Sequence, residues 1–125
     1  MTRKKLTLGL FAAAMIVGGV GTANAAPLGC ESTGWVCLYR DDDYKGGQVS
    51  LTNSTTGITH LSSYGFNDNA DSYFSNYGND SAWWTDANYV GRRVCMHNNT
   101  SNRSFSFQDS DEASSAKKLS SPTAC

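Results

Sequence analysis

The sequence has no His-Glu-x-x-His pair and no Gly-x-Ser-x-Gly turn, so neither a zinc-peptidase helix nor a hydrolase nucleophile elbow is encoded. Histidine is scarce: His60 and His97 are the two present, each beside a strand-like run, where a surface or core role is the ordinary one. Cys-x-x-Cys spacing is missing as well, which argues against a thiolate metal site. Oxidation of the four cysteines would leave no thiol nucleophile. Catalysis is not expected.

Long apolar runs are also lacking, with one exception. Met1-Thr2-Arg3-Lys4-Lys5 leads into the stretch from Leu6 to Val20, followed by Ala23-Asn24-Ala25. A basic start, a run too short to span a bilayer comfortably and an A-x-A site describe a signal peptide of residues 1–25. The expected mature chain, residues 26–125, is secreted to the extracellular space, carries no membrane anchor and is long enough for one modest domain. Positive charge is short in that part. Once Arg3, Lys4 and Lys5 leave, seven basic residues face 11 acidic ones, a balance of about −4. Nucleic acid is a poor partner for such a surface, because counterion release requires a basic face.

Cys30, Cys37, Cys95 and Cys125 all fall in the mature part, and an even number in a small exported chain implies two disulfides. Three pairings are possible. The expected one joins Cys30 to Cys37 around Gly34 and Cys95 to Cys125, tying the C-terminus to the body. The longer loop contributes roughly 3 to 4 kcal/mol in the chain-entropy model.

No run of helix formers recurs at 3.6 residues, whereas Ser, Asn, Asp, Gly and aromatic residues are abundant. Trp35–Tyr39, Gly47–Leu51, Arg93–His97 and Ser104–Phe107 read as short strands. The segment Leu38–Val49 matches Trp83–Val94 without a gap: an aromatic, four residues including acid or amide, Tyr44 or Tyr89, one residue, then Gly46 or Gly91. About twenty residues later Asp68-Asn69-Ala70-Asp71-Ser72 is echoed by Asp111-Glu112-Ala113-Ser114-Ser115. Two features in the same order at offsets of 45 and 43 mark a duplicated unit, with halves at about 35–75 and 80–120. Each half is expected to be a four-stranded Greek key folded over at its glycine, and the two to pack as a sandwich. Trp83 and Trp84 are adjacent, so only one can enter the core.

With these motifs in place, the chain resembles the βγ-crystallin superfamily over nearly all of its mature part. The leader, the Cys-bracketed Trp35-Val36-Cys37-Leu38-Tyr39, the segment Tyr64-Gly65-Phe66-Asn67-Asp68 and the terminal cysteine are similar, more narrowly, to secreted bacterial metalloproteinase inhibitors built on that fold. The first resemblance implies an all-β fold, two Greek-key motifs packed as a small disulfide-bonded βγ-crystallin-like sandwich, with calcium ligands at Asp68, Asn69, Ser72, Asp111 and Ser115. Tyr73, Glu112 and Ala116 depart from the usual calcium motif. Carboxylate, amide and hydroxyl oxygens suit calcium, and the same residues also cluster in turns.

The narrower resemblance implies a monomeric inhibitor of an extracellular, thermolysin-like metalloprotease, acting through a rigid loop that presents a bulky apolar residue. Candidate loops are Val94-Cys95-Met96, beside the expected Cys95 bridge, and the hairpin Ala87-Asn88-Tyr89-Val90. The alternative is a calcium-binding βγ-crystallin-like structural or glycan-binding module without inhibitory activity, with an exposed Trp as sugar platform.

Overall fold

The alternation in Trp35-Val36-Cys37-Leu38-Tyr39 becomes the first strand, β1 (Trp35–Asp41), of a computed structural model that describes residues 25–125. All but the last residue of the expected signal peptide therefore lies outside the described residues. β2 (Lys45–Leu51), β3 (Gly57–Ile58) and β4 (Ser72–Asn76) complete the first unit. β5 (Ser81–Asp86), β6 (Val90–Met96), β7 (Ser101–Asn102) and β8 (Ser115–Lys118) form the second. Pairing is antiparallel throughout.

The two sheets run β2-β1-β4-β7 and β3-β8-β5-β6. Each unit sends its third strand to the edge of the other unit's sheet. Neither sheet is complete within one half, so the halves share one core rather than meeting as finished bodies. That core gathers Val36, Leu38, Val49, Leu51, Ile58, Leu61, Phe66, Trp83, Met96 and Phe105 among its buried members.

The duplication is visible in the register. Leu38 pairs with Val49 and Tyr73, and Trp83 pairs with Val94 and Ala116 at the corresponding places. Where the second unit has the larger Trp in place of Leu38, it has the smaller Ala in place of Tyr73. Exchanging size across neighbouring strands keeps the core filled at native density.

At each hairpin tip a short 3₁₀ turn, Asp42–Tyr44 or Ala87–Tyr89, folds back over its sheet. Gly46 (φ 76°) and Gly91 (φ 88°) take left-handed backbone conformations, and so do Asp43-Tyr44 and Asn88-Tyr89. A Cβ on Gly46 would meet the Asp41 carboxylate at 2.6 Å, and one on Gly91 the Asp86 carboxylate at 2.7 Å. For the tyrosines, positive φ is unfavourable and must be held by packing. Tyr44 packs on Tyr39 with ring centroids 5.8 Å apart, and Tyr89 on Trp84 at 5.2 Å.

Buried serines fasten the same tips. Ser72 Oγ–H donates to the Asp41 carbonyl at 2.6 Å and accepts the Tyr44 N–H at 3.2 Å. Ser115 repeats this with Asp86 at 2.7 Å and Tyr89 at 3.0 Å.

β1 is buried on both faces. Val36 and Leu38 enter the main core, while Cys37 and Tyr39 join a second cluster with Cys30, Trp35, Tyr44 and Phe74 on the outside of the sheet. The arm ahead of β1 covers that outer face and is held there by the Cys30–Cys37 disulfide, with Cα atoms 6.2 Å apart. On the other sheet Cys95 and Cys125 also approach to 6.2 Å between Cα atoms, within disulfide reach.

One expected strand does not form. Ser104–Phe107 leaves the ladder because β7 stops at Asn102, whose side-chain carbonyl accepts the Ser104 N–H at 3.0 Å and turns the chain. Phe105 then drops into the core against Trp83, stacked at 5.7 Å and 14°, while Phe107 points to solvent.

Candidate functional site

The two acidic motifs meet across the seam between the halves. The Asp68 N–H donates to the Ala113 carbonyl at 2.9 Å and the Asp111 N–H to the Ala70 carbonyl at 3.0 Å, a reciprocal pair that requires left-handed φ of 55° and 59°. Asp68 accepts hydrogen bonds from Ser114 Oγ at 3.2 Å and from the Asn67 amide at 3.1 Å. Asn69 is half-buried beside them. Ser72 and Ser115 lie at the hairpin tips, where both hydroxyls already serve the backbone.

Burial and the neighbouring carboxylates of Asp71, Asp68, Glu112 and Asp41 push the Asp111 carboxyl above its ordinary value. The seam thus accumulates negative charge. Because a raised native pKa means tighter proton binding in the folded state, Asp111 opposes folding above its ordinary pKa.

The hairpin candidate is folded down rather than projecting. The Asn88 N–H donates to the Thr59 carbonyl at 2.9 Å, and Lys117 sits over the Tyr89 ring at 5.1 Å. Val90 is the member that faces solvent, at 57% exposure. In the other candidate Met96 is fully buried and Val94 packs against the core, so Val94-Cys95-Met96 turns its apolar side chains inward. Trp83 is the tryptophan that enters the core, and the half-buried Trp84 carries Tyr89 on its ring.

At the far end of the molecule, Asp80 is buried and organises the C-terminal tail. Its carboxylate accepts the Asn98 N–H at 2.9 Å and the Cys125 N–H at 3.0 Å. The Cys125 N–H, then those of Asn98 and Ala124 together with the nearby His97 ring, hold this carboxyl below its ordinary value despite burial. His97 Nδ1 lies 3.9 Å from it. Asp80, Cys95 and His97 bring potential ligand atoms within 4.8 Å of one another, but the Cys95 sulfur lies against that of Cys125.

A depressed native pKa stabilises the fold above the unfolded value, and that contribution disappears as pH falls through the native one. Acid melts are therefore expected to show a loss of Tm below about pH 4. Asp80→Asn should flatten that acid limb and lower Tm at neutral pH. An unchanged acid limb in the variant would assign the loss to other carboxylates.

Residues 103–114 form a long connection between β7 and β8, part of which the sequence pattern reads as a strand. Arg92 on β6 grips it, pairing with Asp109 at 2.7 Å and donating to the Gln108 carbonyl at 3.0 Å. Arg103 pairs with Asp43 at 2.8 Å at the loop's start. The signal in the sequence was the doublet Phe105-x-Phe107, read as a strand because alternation alone does not tell a strand from an aromatic tucked in beside one left out.

Comparison with known proteins decides the family. Residues 23–96 match the model of peptidase inhibitor family I36. The chain belongs to that family. Peptidase inhibition is accordingly the function of this I36 protein, and a peptidase its partner. No curated protein matches the chain.

Among solved structures, a βγ-crystallin from Ciona intestinalis is similar at a TM-score of 0.59 and 21% identity, covering 69% of this chain and 100% of that one. A βγ-crystallin domain from Flavobacterium johnsoniae matches at 0.61 and 24%, covering 71% and 98%. One from Clostridium beijerinckii matches at 0.56 and 23%, covering 67% and 95%. These likenesses establish the βγ-crystallin-like fold of the I36 chain. Among the described residues no helix is long and apolar enough to cross a membrane.

Proposed function

We propose that this I36 protein is exported and acts outside the cell as a monomeric inhibitor of thermolysin-like metallopeptidases, seating a rigid loop in the peptidase cleft. The family match over residues 23–96 carries the reading. The scaffold supports the mode of action. Interlocked sheets, fastened hairpins and tails tied to the sheet faces leave little freedom to lose on binding, and a loop that cannot relax is cleaved slowly. We include in this proposal a second disulfide between Cys95 and Cys125.

The test is a titration of the oxidised protein, residues 26–125, against thermolysin and against subtilisin with calcium present throughout. Loss of thermolysin activity at near-equimolar inhibitor, with subtilisin spared, is expected. The reverse selectivity would move the target to serine peptidases, and activity retained by both would remove the proposal.

Calcium at the seam is a second proposal, favoured by the mutual repulsion around Asp111. Asp68, Asn69 and Asp111 supply hard oxygen donors of the right chemistry, and the Ser72 and Ser115 hydroxyls, each donating one bond and accepting one at the hairpins, keep a lone pair for a cation. A cation bound to the folded state alone raises stability by mass action. Calcium is expected to raise Tm relative to chelator, and Asp111→Asn to raise Tm in chelator while weakening the calcium response. Equal melting with calcium and chelator would sink it.

A further inference from the structure

The residues that make an inhibitor contact its target are expected to be exposed, bulky and held still. Among the described residues the large apolar side chains most open to solvent are Leu28, Tyr64, Val90 and Phe107, and Phe107 is 98% exposed. Leu28 sits on the N-terminal arm, Tyr64 on a short 3₁₀ turn, and Val90 beside the folded-down Tyr89. Tyr64, between the buried Leu61 and Phe66, and Val90, paired with Asp86, are also held, but they are 55% and 57% exposed; Phe107 is the most exposed of the four and stands in a loop fixed on both sides of it.

On the N-terminal side, Phe105 is locked in the core between Trp83 and Tyr73, with ring centroids 5.7 and 6.2 Å away, and its N–H donates to the Asp71 carbonyl at 2.8 Å. On the C-terminal side, the Asp111 N–H reaches Ala70 at 3.0 Å, and the Ser110 hydroxyl donates to the Asp71 carboxylate. Between these, the N–H groups of Asp109 and Ser110 both close onto the Ser106 carbonyl at 2.9 Å, and Arg92 clamps Gln108 and Asp109 from outside. Holding an aromatic ring wholly in water with that many constraints brings the fold no burial. It does present the ring pre-positioned, which lowers the entropic cost of docking.

We infer that Phe107 is the anchor of the inhibitory surface, entering the apolar specificity pocket of the target peptidase. The inference rests on the inhibitor reading above and deepens it. The I36 membership identifies a peptidase as the class of partner that covers the ring, and this loop lies beyond the matched residues 23–96. The surroundings narrow the partner further. Phe107 borders an open cleft of about 570 Å³ shared with Arg92, Gln108, Ser110, Asp111 and Glu112. Acidic side chains flank the ring on one side, so the fitting peptidase combines a pocket for a large apolar side chain with an electropositive rim.

Inhibition constants for the oxidised protein, Phe107→Ala, Phe107→Leu and Val90→Ala, measured against thermolysin and subtilisin alongside their melting curves, test this. Phe107→Ala should melt with the parent, because the ring buries nothing, yet inhibit at least about tenfold more weakly. Phe107→Leu should keep most of the affinity, and Val90→Ala should match the parent. If the parent inhibits and Phe107→Ala is weakened less than tenfold, the anchor assignment is overturned while the inhibitor reading stands. If the parent inhibits neither enzyme, the underlying reading fails and the assignment falls with it.

Discussion

Trp83→Ala is expected to cost about 3–5 kcal/mol of folding stability, the range for truncating a fully buried large aromatic. For a domain of this size that is a fall in Tm of roughly 15–30 °C. Trp83 fills the second unit's central position, opposite Val94 and Ala116, where the first unit has Leu38 between Val49 and Tyr73. Ala116, already small, cannot fill the hole from its side.

The loss should also reach the surface. Phe105 stacks on Trp83, and two residues later the chain carries Phe107, so a loosened Phe105 frees the loop that the core now holds rigid. Denaturant unfolding at constant m-value checks the stability effect, and the inhibition constant of the surviving folded fraction checks the coupling. A cost below about 1 kcal/mol would mean that Trp83 is not the keystone of the second unit.

Removing the Cys30–Cys37 disulfide as a Cys30→Ser/Cys37→Ser double substitution is expected to cost about 2–3 kcal/mol. The bridge spans a sequence separation of 7, for which the chain-entropy model gives a contribution of that size. The structural consequence is specific. The arm that shields the outside of β1 would lift, leaving Tyr39, Tyr44 and Phe74 open to water. Chemical denaturation gives the magnitude, and hydrogen exchange of the β1 amides locates it. Faster exchange confined to β1 and its neighbours fits this account, whereas an unchanged midpoint would show the arm to be held by its other contacts, such as the Gln48 amide donating to Gly29.

The parts of this fold most legible in the sequence are those the duplication states twice. The aromatic, Tyr and Gly of each hairpin, the strands that follow them and the serines after each acidic motif occupy corresponding positions because both units solve the same steric problem: a chain folding back over its own sheet. The exchange of β3 and β7 between sheets was not legible. Each is a two-residue strand with no periodicity of its own, placed by what the other half offers rather than by its own residues.

The candidate site divides the same way. Asp68 and Asp111 were identifiable as a matched pair, but a motif does not reveal what else a hydroxyl holds, and Ser72 and Ser115 also fasten backbone groups some thirty residues away in sequence. Met96 looked like a presentable apolar residue, yet on β6 its parity directs it inward. Phe107 was hidden by the opposite error. Ser-Phe-Ser-Phe has the period of a strand, and the side chain of Asn102 ends the ladder before that period can operate.

The central claim, that a rigid βγ-crystallin-like scaffold blocks a peptidase without being consumed, is met most directly by incubating thermolysin with increasing oxidised protein and following residual activity together with the intact mass of the inhibitor over hours. The account predicts a linear fall in activity that reaches its floor near one equivalent, with the chain uncut. Full peptidase activity accompanied by digestion of the chain would contradict it.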